Sequence, residues 1–346
     1  MLTEKTIFVP STGSMDAHLV ALKNLLGQME NPYQKGDLVG IKLHWGEEGN
    51  LRFLPPLFAR EIVSWLRDQG NPSFVFDTTV LYSGGRRKGE DALETARKHG
   101  FSEEYLGCPV VIADGLDGRE LIDLPAGYRH FATAQVANIF PQAAGFFIFS
   151  HLKGHMLSGF GGAIKNISMG FASRAQKQRM HSDASPLLNR SSCSRCGTCI
   201  DICPTHAAQK GTDGYPVYDL GLCIGCSQCI GMCPDVALQL HWETDLTVFQ
   251  EKLVETAAAV WRKIQGKTLL VNALINICSE CDCMPGNHDI IAPDIGFMGG
   301  VHPVSLDYES MKKIGAAPFR KAHPNVAWEK QFSYAEEIGF VGKLMY

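Results

Sequence analysis

Short apolar runs alternate with stretches of helical periodicity along most of the chain. Residues 6–10, 37–45, 73–77, 109–113 and 145–150 read as strands, and the last is apolar without alternation, as in a strand buried on both faces. Between them, residues 15–29 repeat Leu19, Leu22, Leu25 and Leu26 on one side, and residues 56–69 and 91–98 are helical. Past residue 240 the pattern resumes with an amphipathic helix over 245–265 and a strand over 268–275. A further strand, loop and helix run from Asp294 through Asp307. Strands alternating with helices imply βαβ units, so the expected fold class is α/β, a largely parallel sheet with flanking helices.

Two stretches break this rhythm. Residues 151–192 hold six Lys and Arg, three His and one acid, Asp183, and read as a basic loop. Residues 193–234 hold two matching runs of the form C-x2-C-x2-C-x3-C-P. The first is Cys193, Cys196, Cys199 and Cys203 before Pro204, and the second is Cys223, Cys226, Cys229 and Cys233 before Pro234. In this bacterial ferredoxin pattern three closely spaced thiolates hold one cubane and the fourth reaches across to the other. The expected cofactors are therefore two [4Fe–4S] clusters, one on Cys193, Cys196, Cys199 and Cys233, the other on Cys223, Cys226, Cys229 and Cys203. Structural zinc also uses C-x2-C pairs, but two matching four-cysteine runs favour iron–sulfur. The chain then divides into residues 1–186, the first part of an α/β domain; 187–240, a small α+β two-cluster ferredoxin domain that interrupts it; and 241–346, the second part.

A third cysteine group, Cys278, Cys281 and Cys283, follows the strand over 268–275. Three thiols within six residues read as a metal centre, either a third iron–sulfur cluster or zinc, with His288, Asp282, Asp294 or a bound molecule as the fourth ligand. An inert Cys-rich loop is the plainer alternative. Other polar motifs also follow strands: Lys42 and His44, Asp77, then His151 to His155. Parallel sheets bind ligands at the carboxyl ends of their strands, so these loops are expected to converge on one crevice. Lys153 and Lys165 are candidates to clamp a carboxylate or phosphate, and Lys153, His155 and Lys165 to act as catalytic proton donors. A solvated basic loop that shields anionic clusters is the alternative. The stretch from Gly159 to Asn166 is glycine-rich without matching the nucleotide-binding fingerprints. The segment from Ser83 to Lys88 reads as a surface turn or an anion loop, Cys108 as a small buried hydrophobe, and Asp294 and Asp307 as caps rather than catalysts.

Composition narrows the partners. The 346 residues are 45% hydrophobic and 20% charged, as in ordinary globular proteins. A net charge of −4 gives no general attraction to nucleic acid or an acidic membrane, and neither is expected as a partner. No apolar run approaches the roughly 20 residues of a membrane span. Twelve cysteines without a signal-like N-terminus imply metal ligation in a reducing, anaerobic cytoplasm.

The residues from His151 to Met156, Gly162 to Asn166, Cys281 to Cys283, Pro293 to Gly296 and His302 to Asp307 resemble the signatures of the domain-of-unknown-function 362 family. The resemblance covers nearly the whole chain, and members often carry an inserted two-cluster ferredoxin. It implies that Lys153, His155, Lys165, Asn166, Cys281, Cys283, Asp294 and Asp307 are signature positions, but it names no reaction. His302 departs from the pattern, because members usually carry an Asp there. Taken together, the expectation is an iron–sulfur oxidoreductase. Electrons from a redox partner, a ferredoxin or a dehydrogenase, pass through both clusters to a site near Cys278–Cys283 that acts on a small anionic substrate. The alternatives are an electron-transfer or metal-assembly protein serving a partner enzyme, and a non-redox enzyme with structural clusters.

Overall fold

The computed structural model describes residues 6–81, 84–181, 186–219, 222–223, 227–239 and 245–344. Seven strands form one sheet: β1 (Ile7–Pro10), β2 (Val39–Lys42), β3 (Ser73–Asp77), β4 (Val110–Ile112), β5 (Gly145–His151), β6 (Thr268–Leu274) and β7 (Gly296–Gly300). Their spatial order is β1-β7-β6-β5-β2-β3-β4. The five strands from β6 to β4 run parallel, as the alternation of strands and helices predicts. At the far edge β7 runs antiparallel to both β6 and β1, which the pattern did not reveal. Strand β6 pairs with β5 from Thr268 opposite Phe146 to Ala273 opposite His151, so the segment between them interrupts one continuous sheet.

Helices α1 (Met15–Gln28), α2 (Pro56–Asp68) and α3 (Gly89–Lys98) cover one face. Helices α4 (Ala163–Phe171), α5 (Arg174–His181), α6 (Leu246–Ile264) and α7 (Pro303–Ile314) lie on the other. Side chains alternate along a strand, so Phe147 and Phe149 of β5 join the first core while Phe146 and Ile148 join the second. Each such buried side chain contributes roughly 1.5–3 kcal/mol. Ser14 caps α1 by accepting from the Ala17 amide at 3.3 Å, and Asp245 caps α6 by accepting from Thr247 and Val248 at 2.7 and 3.1 Å.

Two expectations need correction. Helix α6 is buried nearly all round rather than amphipathic. The hairpin of Leu121–Pro125 with Thr133–Ala137 and the helix Lys330–Glu337 pack against it. From these, the amides of His130 and Phe131 and the Tyr334 hydroxyl all donate to Glu255. Nor are residues 151–181 of the basic stretch a solvated loop. A hairpin of Lys153–His155 with Gly159–Gly161 leads into α4 and α5, and Lys153, Arg174 and Lys177 are buried.

The interrupting segment contains two antiparallel strand pairs, Leu187–Leu188 with Leu238–Gln239 and Ala208–Lys210 with Pro216–Tyr218, and the short helices Thr198–Asp201 and Gln228–Met232. Its halves repeat in backbone as well as sequence. Gly197 (φ 83°) and Ser227 (φ 57°) cap the two short helices in the left-handed region, and His206 (φ 55°) and Val236 (φ 53°) each follow a Cys-Pro pair in that region. The segment packs onto the main body: Leu81 clusters with Cys199, Ile230, Cys233 and Leu238, and Arg87 donates to the carbonyls of Cys233, at 2.7 Å, and of Leu81. Among the described residues no helix is long and apolar enough to cross a membrane.

Candidate functional site

At the carboxyl ends of β2, β3 and β5 the structure opens into a cavity of about 690 Å³. The loops singled out in the sequence do converge here: Lys42, Asp77, His151, Lys165 and Cys281 all line it. Its floor is a buried charge network. Lys42 Nζ lies 2.9 Å from Asp77 Oδ1 and donates to Asn166 Oδ1 at 2.9 Å, while Arg86 bridges Asp77 Oδ2 and Glu47 Oε2, each at 3.0 Å. Burial opposes the charge on Asp77, but Lys42 and Arg86 hold its carboxyl down at about 2. Gly170 of α4 lets Lys42 pass under the helix, since a Cβ there would stand 2.3 Å from Lys42 Cε.

Arg86 and Arg87 are therefore internal braces, neither a surface turn nor an anion loop; Ser83, at the head of that motif, lies outside the described residues, as does Asp183. Lys177 of α5, which sequence reasoning missed, donates to Thr78 Oγ1 at 2.8 Å and to Thr79 O, and burial brings its amine down to about 8. Its spacing of four from His181, which also lines the cavity, was the available signal.

The Cys278–Cys283 loop forms another wall. Asp282 anchors it, with Lys153 Nζ 2.5 Å from Oδ1 and His151 Nδ1 2.9 Å from Oδ2. Burial opposes this carboxylate too, but Lys153 and His151 hold it far below the usual range. Lys153 also donates to Arg52 O at 2.8 Å, so this predicted proton donor is an anchor of the loop. His155 lies in the cavity wall with Nδ1 accepting from the Ser158 amide at 3.2 Å, which leaves its proton on Nε2. Burial, then Lys165, keeps His155 neutral. Lys165 is placed differently: its Nζ donates to Cys281 Sγ at 3.2 Å, and burial brings it down to about 8.

The expected three-thiol centre is not assembled. Cys281 and Cys283 are joined as a disulfide and line the cavity. Cys278 is buried, with its thiol donating to Asn276 O at 3.1 Å. The loop bends after β6, where Asn276 adopts φ 51°, and Cys278 stays outside the disulfide. His288 Nε2 bonds Met284 O instead of meeting these sulfurs. Asp294 braces the bend by accepting from the Asn276 amide at 2.5 Å and pairing with His18 at 3.0 Å. Asp307 caps α4 from a distance, accepting from the Ala163 and Ile164 amides at 2.7 and 2.9 Å. His302 packs its ring against Trp261 and Phe340, so this departure from the signature serves the core.

A second hollow, of about 310 Å³, lies in the interrupting segment, and Cys193, Cys196, Cys199 and Cys233 all line it. These are the four thiols that the spacing assigns to one cluster. Backbone amides point at their sulfurs, Arg195 N to Cys193 at 3.4 Å and Ala237 N to Cys233 at 3.3 Å. Among the described residues no three His, Cys, Asp or Glu side chains close on a single ion. Of the other set, Cys203 accepts from the Ala208 amide at 3.4 Å, Cys223 and Cys229 are described, and Cys226 lies outside the described residues.

The family described as "Domain of unknown function (DUF362)" matches residues 39–312, well over half of the chain. No curated protein matches it. Among solved structures, a Thermotoga maritima protein is similar over 96% of this chain and 61% of its own, at 11% identity and a TM-score of 0.46. The lactate racemase apoprotein of Thermoanaerobacterium thermosaccharolyticum is similar over 88% of this chain and 56% of its own, at 12% identity and a TM-score of 0.43. This chain thus spans less than two thirds of the length of either, and neither likeness bears on its chemistry.

Proposed function

The chain belongs to the DUF362 family, and on that footing we propose that it is an iron–sulfur oxidoreductase that reduces or oxidises a small anionic substrate in the 690 Å³ cavity. The observation that carries the reading is the 310 Å³ hollow walled by Cys193, Cys196, Cys199 and Cys233. A cubane stands between its four thiolates, so its ligands sit wider apart than those of one zinc ion, and amide donors to the sulfurs help set its potential. When bound, two [4Fe–4S] clusters supply one-electron transfer. Cys203, Cys223, Cys226 and Cys229 would hold the second.

The chain's own residues account for the rest. Leu81 lines the cavity and belongs to the same apolar cluster as Cys199 and Cys233, which supports a short path between the proposed first iron–sulfur cluster and the substrate. Lys42 and Arg86 are neutralised by Asp77 and Glu47, whereas Lys165 faces an uncharged disulfide sulfur and keeps its charge for an anionic group. His155 holds a proton at Nε2 in the same wall. A pure electron carrier or assembly factor has no use for such a cavity, which favours turnover in this chain. The electron source is a redox partner, a ferredoxin or a dehydrogenase, in an anaerobic cytoplasm.

Iron, acid-labile sulfide and zinc in anaerobically purified protein test this. About 8 iron and 8 sulfide per chain are expected, falling to about 4 of each in a Cys193→Ser/Cys233→Ser variant. Zinc without labile sulfide would overturn the reading.

A further inference from the structure

We propose that Cys281 and Cys283 are a redox-active pair in the cavity wall, cycling between a disulfide and two thiols and so holding two electrons and two protons beside the substrate. The inference rests on the proposed function only for the source of its electrons.

Three features of the loop fit this use. Both residues line the cavity, within reach of reductant and substrate, while Cys278 is buried and bonded to Asn276 O. The residue between them, Asp282, is fixed from the other side by Lys153 and His151, and its carbonyl accepts from the Glu47 amide at 2.8 Å. The sulfur–sulfur bond therefore opens and closes on a loop whose anchor does not move. Finally, two donors converge on Cys281 Sγ, Lys165 Nζ and the Cys283 amide, both at 3.2 Å. An ammonium and an amide at one sulfur favour its thiolate, the species that leaves when a disulfide is reduced and attacks when it re-forms.

The step balances as one disulfide plus two electrons plus two protons giving two thiols. Two one-electron donors are needed, and [4Fe–4S] clusters, if held by the two four-cysteine sets, would supply one electron each. The sulfur–sulfur bond breaks, Lys165 gives its proton to the Cys281 thiolate, and solvent protonates Cys283 and then Lys165. Run in reverse, the two thiols deliver two electrons and two protons, so the substrate class is an anion that undergoes a two-electron reduction coupled to protons.

The test uses the intact, anaerobically purified protein, poised in oxidised or reduced dithiothreitol, acid-quenched and labelled with iodoacetamide. The tryptic peptide over residues 268–312 carries Cys278, Cys281 and Cys283. One label is expected in the oxidised sample and three in the reduced one. In the reduced folded protein, Lys165→Met should slow labelling of Cys281 roughly tenfold at pH 7 and move its pH dependence up by about one unit, with Lys165→Arg restoring both. Three labels at both poises would overturn the proposal, as would a zinc or third cluster lost on Cys281→Ser or an unchanged pH dependence in Lys165→Met. If the pair cycles in protein that holds no iron, the oxidoreductase reading fails while the pair stands. If the clusters are present and the pair never oxidises, only this inference fails.

Discussion

Asp77 is the residue on which the cavity floor turns, because Lys42 and Arg86 both discharge onto its two oxygens inside the protein. Replacing it leaves two buried cations facing a neutral group. Asp77→Asn should therefore lower stability by about 3–5 kcal/mol at pH 7, read as the urea midpoint followed by tryptophan fluorescence. The sign of the pH dependence follows from its carboxyl lying at about 2 instead of 3.8. The ionised form is favoured by the fold, so its contribution is complete above pH ~4 and is lost as pH falls toward ~2. The gap between parent and variant should narrow by about 2 kcal/mol over that range, and a gap that stays constant would remove Asp77 from this role.

At the scale of elements, α4 carries Lys165 and Asn166 into the cavity, and its first turn is held by a carboxylate from α7. The N-cap of α4, Gly162, has room for nothing larger, since a Cβ would lie 2.4 Å from Asp307 Oδ1. Asp307→Ala strips acceptors from the Ala163 and Ile164 amides and from Asn272 Nδ2. A loss of about 1–3 kcal/mol is expected, again as a urea midpoint, with Asp307→Asn costing less because one acceptor survives. Equal losses for the two variants would mean that the helix start does not depend on this cap. The bases of these contacts were partly legible: Asp307 read as a cap from its place near a predicted strand end, but its partner helix lies 144 residues away in sequence and was read as a loop.

For the whole molecule, the interrupting segment is packed against the body through Leu81, Arg87 and Arg174, and this junction lies next to the cavity. Arg87→Ala removes the hydrogen bond that crosses it, to Cys233 O, together with one inside the body, to Leu81 O. Iron content should stay at the parent value, while cleavage within residues 187–240 by a trace of protease rises several-fold, because local opening becomes cheaper. Unchanged cleavage would assign the docking to Leu81 and Arg174.

The sequence by itself determined what short-range pattern encodes. Periodicity located the seven strands of the large sheet and five of its seven flanking helices, the repeated cysteine spacing grouped Cys193, Cys196, Cys199 and Cys233, which line one hollow, and the polar residues after β2, β3 and β5 marked the cavity. Tertiary structure alone decided which of those residues face one another. Lys42 meets Asp77 because β2 and β3 are neighbours in the sheet, Lys153 meets Asp282 across 129 residues, and Cys281 closes on Cys283 while Cys278 stays unpaired with either. Local sequence fixes backbone shape within a few residues, whereas the neutralisation of a buried charge depends on strand order and register, and neither is written in the spacing of the residues concerned.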